Sequence, residues 1–291
     1  MFGFLAILIW AALSLLTYLS GKIPPFQLVA MSFFIATLVG LGLIFIKGFD
    51  PQMRELDFRA LLLGVAGLFG YHFFFFLALR HSPVLEASLI NYLWPLLIVL
   101  FSVLLPAAHQ GGGMRWWHLG GAFLGFVGAG LVLIANEGSG SQLQLGGSHW
   151  FGYGSALAAA VVWSSYSVAS RLFSRVPTQA VTLYCFVTTG LAVVAHLLFE
   201  QTVWPATNTA WLAVLLLGLG PVGGSFYLWD FAIKRGDLRL LGVLAYFVPL
   251  LSLLILVAAG ISSPSPMIWL AGFLIIAGAV LAAKDKIFRA K

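Results

Sequence analysis

Residues Leu28 to Ile46 read LVAMSFFIATLVGLGLIFI, a run without one ionisable side chain. As a helix rising about 1.5 Å per residue it would reach across most of the ~30 Å hydrocarbon core of a bilayer. A water-soluble globule carries charge on about a quarter of its residues. This chain carries 8%, against 61% hydrophobic residues and a mean hydropathy of +1.03. The quoted run therefore decides the solvent, and with it the fold class: an all-α integral membrane protein.

Working outward from that run, windows of about 20 apolar residues bounded by charge, Pro, Gly or Ser give ten candidate spans. They lie near 2–20, 25–46, 60–79, 84–105, 119–136, 150–170, 178–199, 209–233, 239–260 and 267–283. The first begins directly after Met1 without a basic n-region or a small-residue cleavage site, so it is expected to span rather than to be removed. The loops are too short for a soluble domain.

Sliding the second half over the first brings landmarks into register. At a shift of 153, Trp10 falls on Trp163, Ser14 on Ser167, Ile23-Pro24 on Val176-Pro177 and Phe33 on Phe186. At 154, Arg80 meets Lys234, Tyr92 meets Tyr246 and Pro95-Leu96-Leu97 meets Pro249-Leu250-Leu251. At 150, Phe123-Leu124 and Gly128-Ala129 meet Phe273-Leu274 and Gly278-Ala279. The expected division is a five-helix repeat over 1–140, a second over 149–284, and a cytoplasmic tail at 285–291. An odd number of helices per half makes two tandem halves cross the membrane in opposite senses, so the repeats are expected to be inverted around a central cavity.

Thirteen of the fifteen basic residues fall on the side carrying both termini and the loops after even-numbered spans; only Lys22 and Arg80 fall on the other. Basic loop residues are retained in the cytoplasm, so both termini are expected there, in a bacterial inner membrane. The same bias accounts for the net charge of +6. The basic residues stand singly and form no stripe for nucleic acid. The lone Cys185 excludes a disulfide framework and a thiolate metal cluster, and no cofactor is expected.

Trp10, Ser14 and Thr17 share one face of the first span, and Trp163, Ser167 and Ser170 repeat the pattern in the sixth. Aromatic walls with a few hydroxyls suit an amphipathic organic solute. Trp116, Trp117, Trp150, Trp204 and Trp269 lie near span ends, where indoles favour the membrane interface. Pro95 and Pro249 sit inside the fourth and ninth spans and should kink or hinge both. Asn91, Tyr92 and Tyr246 bring hydrogen-bonding capacity to that depth, toward a solute or toward another helix. Glycines recur in the third (Gly64, Gly67, Gly70), fifth (Gly121, Gly125) and eighth spans (Gly218, Gly220, Gly223, Gly224), for close helix packing or for motion.

Ionisable groups inside spans are few. Glu86 is near a boundary with Arg80 or His81 as partner, and Asp230 has Lys234 one turn on. His72 and His196 lie at depth, His72 beside Tyr71. So few groups suited to a relay suggest movement of solute down its own gradient without obligatory proton exchange. Enzyme signatures such as HExxH, GxSxG or a Walker sequence are absent, although an intramembrane enzyme acting on a lipid-like substrate remains the rival class.

The segments Ala87 to Leu97 (ASLINYLWPLL) and Gly242 to Leu251 (GVLAYFVPLL), with Trp10 and Ile23-Pro24-Pro25, resemble the EamA-type repeats of the drug/metabolite transporter superfamily. Within it, the Trp and Tyr placement is most similar to the YddG-type aromatic amino-acid exporters. That resemblance implies ten helices in two inverted repeats, a substrate site formed by Trp10, Ser14, His72, Asn91, Tyr92, Trp163, Ser167 and Tyr246, and export of amino acids, aromatic or otherwise apolar. The alternative is another metabolite or neutral drug. An Arg early in the second span and a Glu after the fourth, common in EamA-type proteins, are replaced by Ala30-Met31-Ser32-Phe33 and Pro106-Ala107-Ala108-His109. The first span holds no acid, which argues against cationic drugs. The partners expected are a small solute and the lipid bilayer; oligomeric state stays open.

Overall fold

The computed structural model describes residues 1–106, 114–137, 149–261 and 266–284. The expected tail at 285–291 and the stretch Ala107-Ala108-His109 lie outside the described residues. Among the described residues the chain is helical, with no strand. In chain order the helices are α1 (Phe2–Leu19), α2 (Pro25–Lys47), α3 (Phe58–His81), α4 (Glu86–Leu104), α5 (Trp116–Glu137), α6 (Trp150–Phe173), α7 (Ala180–Phe199), α8 (Asn208–Arg235), α9 (Leu238–Ala258) and α10 (Pro266–Ala282). Eight are long and apolar enough to cross a membrane; α5 and α10 contribute shorter apolar stretches, Trp116–Val132 and Trp269–Ala282. The chain is thus a multi-pass membrane protein.

Several helices are interrupted at mid-depth, each for a local reason. In α4 the helix ends at Asn91 and restarts at Trp94, so Pro95 is the second residue of a new segment. In α9 it ends at Leu244 and restarts at Phe247, two residues ahead of Pro249. Proline has no N–H to give and its ring presses on the carbonyl four residues back, so the helix resets within a turn upstream. Both kinks expected from the sequence are present. The eighth helix opens between Leu219 and Gly224. A Cβ on Gly223 would overlap the Gly218 carbonyl oxygen and sit 2.7 Å from the Ala36 methyl, so this break requires glycine. A single π turn, Ala66–Gly70, loosens α3.

Helix packing uses small residues, as lipid requires in place of hydrophobic drive. At Gly121 an added Cβ would lie 2.5 Å from the Gly278 carbonyl oxygen, and at Gly128 2.9 Å from that of Ala271, which brings the backbones of α5 and α10 together. On α3, Gly64 and Gly67 leave room for the rings of Tyr184 and Tyr166.

Helices α2 and α7 are tied at both ends by two glutamines. Gln27 Nε2 donates to Val203 O at 3.0 Å, and Val203 N donates to Gln27 Oε1 at 2.9 Å. Gln179 Nε2 donates to Gly48 O at 2.9 Å, and Asp50 N donates to Gln179 Oε1 at 2.9 Å. Each amide bridges the start of one helix to the loop after the other.

Candidate functional site

The breaks in α4 and α8 and the aromatic face of α1 meet at mid-depth. Trp10 is the hub: its ring centroid lies 5.0 Å from Trp229, 5.9 Å from Trp163, 6.2 Å from Phe226 and 6.3 Å from Trp94. Trp163 touches Tyr71 at 5.5 Å, and Phe226 stacks on Phe33 at 5.5 Å. Edge-to-face and offset contacts at these separations are favourable beyond simple burial. Indole N–H groups need acceptors once buried, and two find them here. Trp10 Nε1 donates to Pro221 O at 3.0 Å, the carbonyl that the opened turn of α8 presents, and Trp229 Nε1 donates to Ser167 Oγ at 3.1 Å.

Above this aromatic floor is a cavity of about 100 Å³, lined by Trp10, Leu13, Tyr71, His72, Asn91, Tyr92, Trp94, Trp163, Pro221, Val222, Phe226 and Val248. Neither acid nor basic aliphatic side chain lines it. Sites for drug-sized ligands begin at about 300 Å³, so the rings must part to admit a bulky solute. The interrupted backbones of α4 and α8 carry several of those rings and supply places to bend.

The polar groups on the wall have defined roles. Asn91 Nδ2 donates to the Tyr71 hydroxyl at 3.2 Å, and Asn91 Oδ1 is buried without a partner. His72 Nδ1 lies 2.7 Å from Leu68 O. A carbonyl only accepts, so Nδ1 carries the ring proton of the neutral imidazole and Nε2 is left as an acceptor.

Of the residues singled out from sequence, Trp10, His72, Asn91, Tyr92 and Trp163 come together on the cavity wall. Ser14, Ser167 and Tyr246 are placed elsewhere in this conformation. Ser14 Oγ accepts from Ser252 at 2.7 Å, Ser167 accepts from Trp229 behind the floor, and Tyr246 is fully buried near Gly125 and Phe126. Pro95 and Pro249 are buried at the helix breaks rather than on the wall. Sequence reasoning did not single out Trp94, Phe226 or Trp229 for the site. The last two sit three residues apart, on one helix face, just after the glycine break of α8, a signal that was present in the chain.

His72 lines the cavity, whereas Asp230, Lys234 and His196 are paired away from it. Asp230 and Lys234 form a buried ion pair at 2.8 Å, as their spacing suggested. Thr178 Oγ1 donates to Asp230 at 2.9 Å, and Lys234 Nζ donates to Val176 O at 3.0 Å, joining α8 to the start of α7. His196 bonds Glu200 at 3.0 Å and Thr202 at 2.8 Å. Glu200, unremarked in the sequence, accepts from Phe26 N at 3.0 Å and Gln27 N at 3.1 Å and pairs with Arg80 at 3.2 Å. A carboxylate thereby caps the N-terminus of α2, where the helix dipole favours negative charge.

A polytopic helical protein enclosing an uncharged, aromatic-walled chamber at mid-depth is a membrane carrier in class. The chain belongs to the EamA-like transporter family, which matches residues 1–134 and 150–283. It is therefore a transporter and not an intramembrane enzyme. It is 46% identical to the aromatic amino acid exporter YddG of Ancylobacter novellus, over 96% of this chain and 95% of that one. It is 27% identical to the aromatic amino acid exporter YddG of Escherichia coli K12, over 96% and 94%. A crystal structure of a protein 46% identical superposes with a TM-score of 0.89 over 97% of this chain and 96% of that one.

Proposed function

We propose that this protein exports amino acids, aromatic or otherwise apolar, from the cytoplasm across the bacterial inner membrane by alternating exposure of the mid-depth cavity. The observation that carries this reading is the cavity wall itself. Trp10, Tyr71, Trp94, Trp163 and Phe226 offer aromatic surface to an apolar side chain, while His72, Asn91 and Tyr92 offer hydrogen bonds to its polar end. The names of the two relatives support the same substrate class. Among the eight expected site residues, the five on the wall meet the solute directly. Ser14, Ser167 and Tyr246 act behind them, holding the helices that carry the wall, and Pro95 and Pro249 act as hinges.

The architecture proposed for this transport is ten helices in two inverted repeats, 1–140 and 149–284, followed by a cytoplasmic tail. The reciprocal Gln27 and Gln179 ties support it, because the same amide occurs at opposite ends of the α2–α7 pair. The two stretches matched by one family support it as well. Both termini are proposed to be cytoplasmic on the thirteen-to-two distribution of basic residues. With Asp230, Lys234 and His196 already paired, transport is proposed to run down the solute gradient without obligatory proton exchange.

Purified protein in liposomes tests the function. Labelled phenylalanine, tryptophan or tyrosine is expected to equilibrate across the membrane faster than in empty liposomes and to undergo counterflow against the same unlabelled amino acid. Absence of both for every amino acid in a panel overturns the reading.

A further inference from the structure

The cavity wall holds two hydrogen-bond acceptors, His72 Nε2 and Asn91 Oδ1, and the second is buried without a donor. Asn91 is only 3% exposed, one of its amide N–H groups is engaged with Tyr71, and its Oδ1 has no partner. His72, with Nδ1 held by Leu68 O, presents Nε2 as a lone pair. Both side chains touch the same phenol, Asn91 through its hydrogen bond and His72 through a perpendicular ring contact at 5.2 Å. Buried acceptors in native proteins are almost always satisfied, and an exception in a binding cavity is accounted for when a ligand supplies the donor.

The surroundings define that donor. Tyr71 and Trp163 line the cavity, and aromatic rings attract cations through their quadrupoles. The wall holds no acid to form a full ion pair and no Lys or Arg to attract an anion. A primary ammonium has three N–H donors and fits two neutral acceptors flanked by aromatic rings; a carboxylate brings acceptors only and can satisfy neither of the two. Because a zwitterion carries its own countercharge, it can bind neutral acceptors and leave again without stranding a fixed protein charge inside the membrane.

We infer that His72 Nε2 and Asn91 Oδ1 form an ammonium-recognising pair that makes the carrier select solutes bearing a primary amine over the same skeleton bearing only a carboxylate. The inference rests on the proposed amino-acid transport. It adds the group of the solute that is read and the two atoms that read it.

Counterflow of labelled L-phenylalanine in proteoliposomes, competed with 2-phenylethylamine or with 3-phenylpropanoate, tests it. For the native protein the amine is expected to compete at least about tenfold more effectively than the acid, since hydrogen bonds to charged groups are the stronger kind. Asn91→Leu is expected to bring the two competitors within about threefold of each other, and His72→Phe to lower the ratio likewise. Asn91→Asp retains an acceptor oxygen and should keep the preference for the amine even if its rate falls. Should Asn91→Leu fail to elute as a monodisperse folded protein, His72→Phe and Asn91→Asp carry the test. Equal competition in the native protein overturns the inference while leaving amino-acid transport standing. So does loss of the preference in Asn91→Asp, since the preference would then not depend on an acceptor oxygen at position 91. A native protein that exchanges no amino acid at all fails at the earlier step, and the amino-acid reading falls together with the inference.

Discussion

The indole Nε1 of Trp10 donates to the carbonyl oxygen of Pro221 at 3.0 Å, joining α1 to the opened turn of α8 across 211 residues of chain. Pro221 O also accepts from Ser225 Oγ at 2.7 Å, so the carbonyl freed by the helix break is doubly satisfied. One bond thus sets the orientation of the central ring of the cavity floor and holds a broken helix in place.

Trp10→Phe keeps a ring in the cluster but removes this donor. Ser225 still satisfies the carbonyl, so the expected loss is that of one net hydrogen bond, about 1 kcal/mol, with a further loss from the smaller ring. Thermal unfolding in detergent, followed by intrinsic fluorescence, should show a lower midpoint. A midpoint equal to that of the native protein would mean that the tie contributes no stability.

Trp163→Ala and Tyr92→Ala are expected to impair transport far more than Trp204→Ala. The first two line the cavity, whereas Trp204 is 65% exposed and stacks on Trp211 at the periphery. Truncating a packed aromatic costs about 3 to 5 kcal/mol, so the comparison is made between variants of matched expression and matched elution profile. Equal flux in all three would sink this map of the site.

Removing one partner of the buried Asp230–Lys234 pair strands the other. Asp230→Asn is expected to destabilise the protein by about 3 to 5 kcal/mol, whereas Asp230→Leu combined with Lys234→Met should recover much of that loss, because neither charge then needs compensation. The two variants are distinguished by their unfolding midpoints. A double variant no more stable than the single one would show that the pair also acts through Thr178 and Val176, which it bonds.

The proposed orientation predicts that Lys22→Cys reacts with a membrane-impermeant maleimide from outside intact cells and that Arg54→Cys reacts only after the membrane is opened. Both positions are exposed, and the native Cys185 is buried. Labelling of Arg54→Cys from outside, with Lys22→Cys protected, would reverse the assignment of sides.

What the sequence determined alone was the solvent, the helical class and the two helix breaks at proline. Each of these is local: a run such as Leu28 to Ile46 has no other stable surroundings than lipid, and Pro95 and Pro249 interrupt any helix that contains them. The Trp10 and Trp163 faces were legible because a large ring at mid-depth with a hydroxyl one turn away is unusual in a span. The tertiary structure decided which faces meet. A helix apolar all round carries no amphipathic signal to orient it about its own axis, so Ser167 and Tyr246 turned behind the cavity, while Trp94, Phe226 and Trp229 turned toward its floor. Glu200 capping α2 from a position 174 residues away belongs to the same class of fact. Such relations arise only when helices pack by close backbone approach at glycine and by satisfying the few polar groups the membrane leaves them, and neither operates within a single segment of chain.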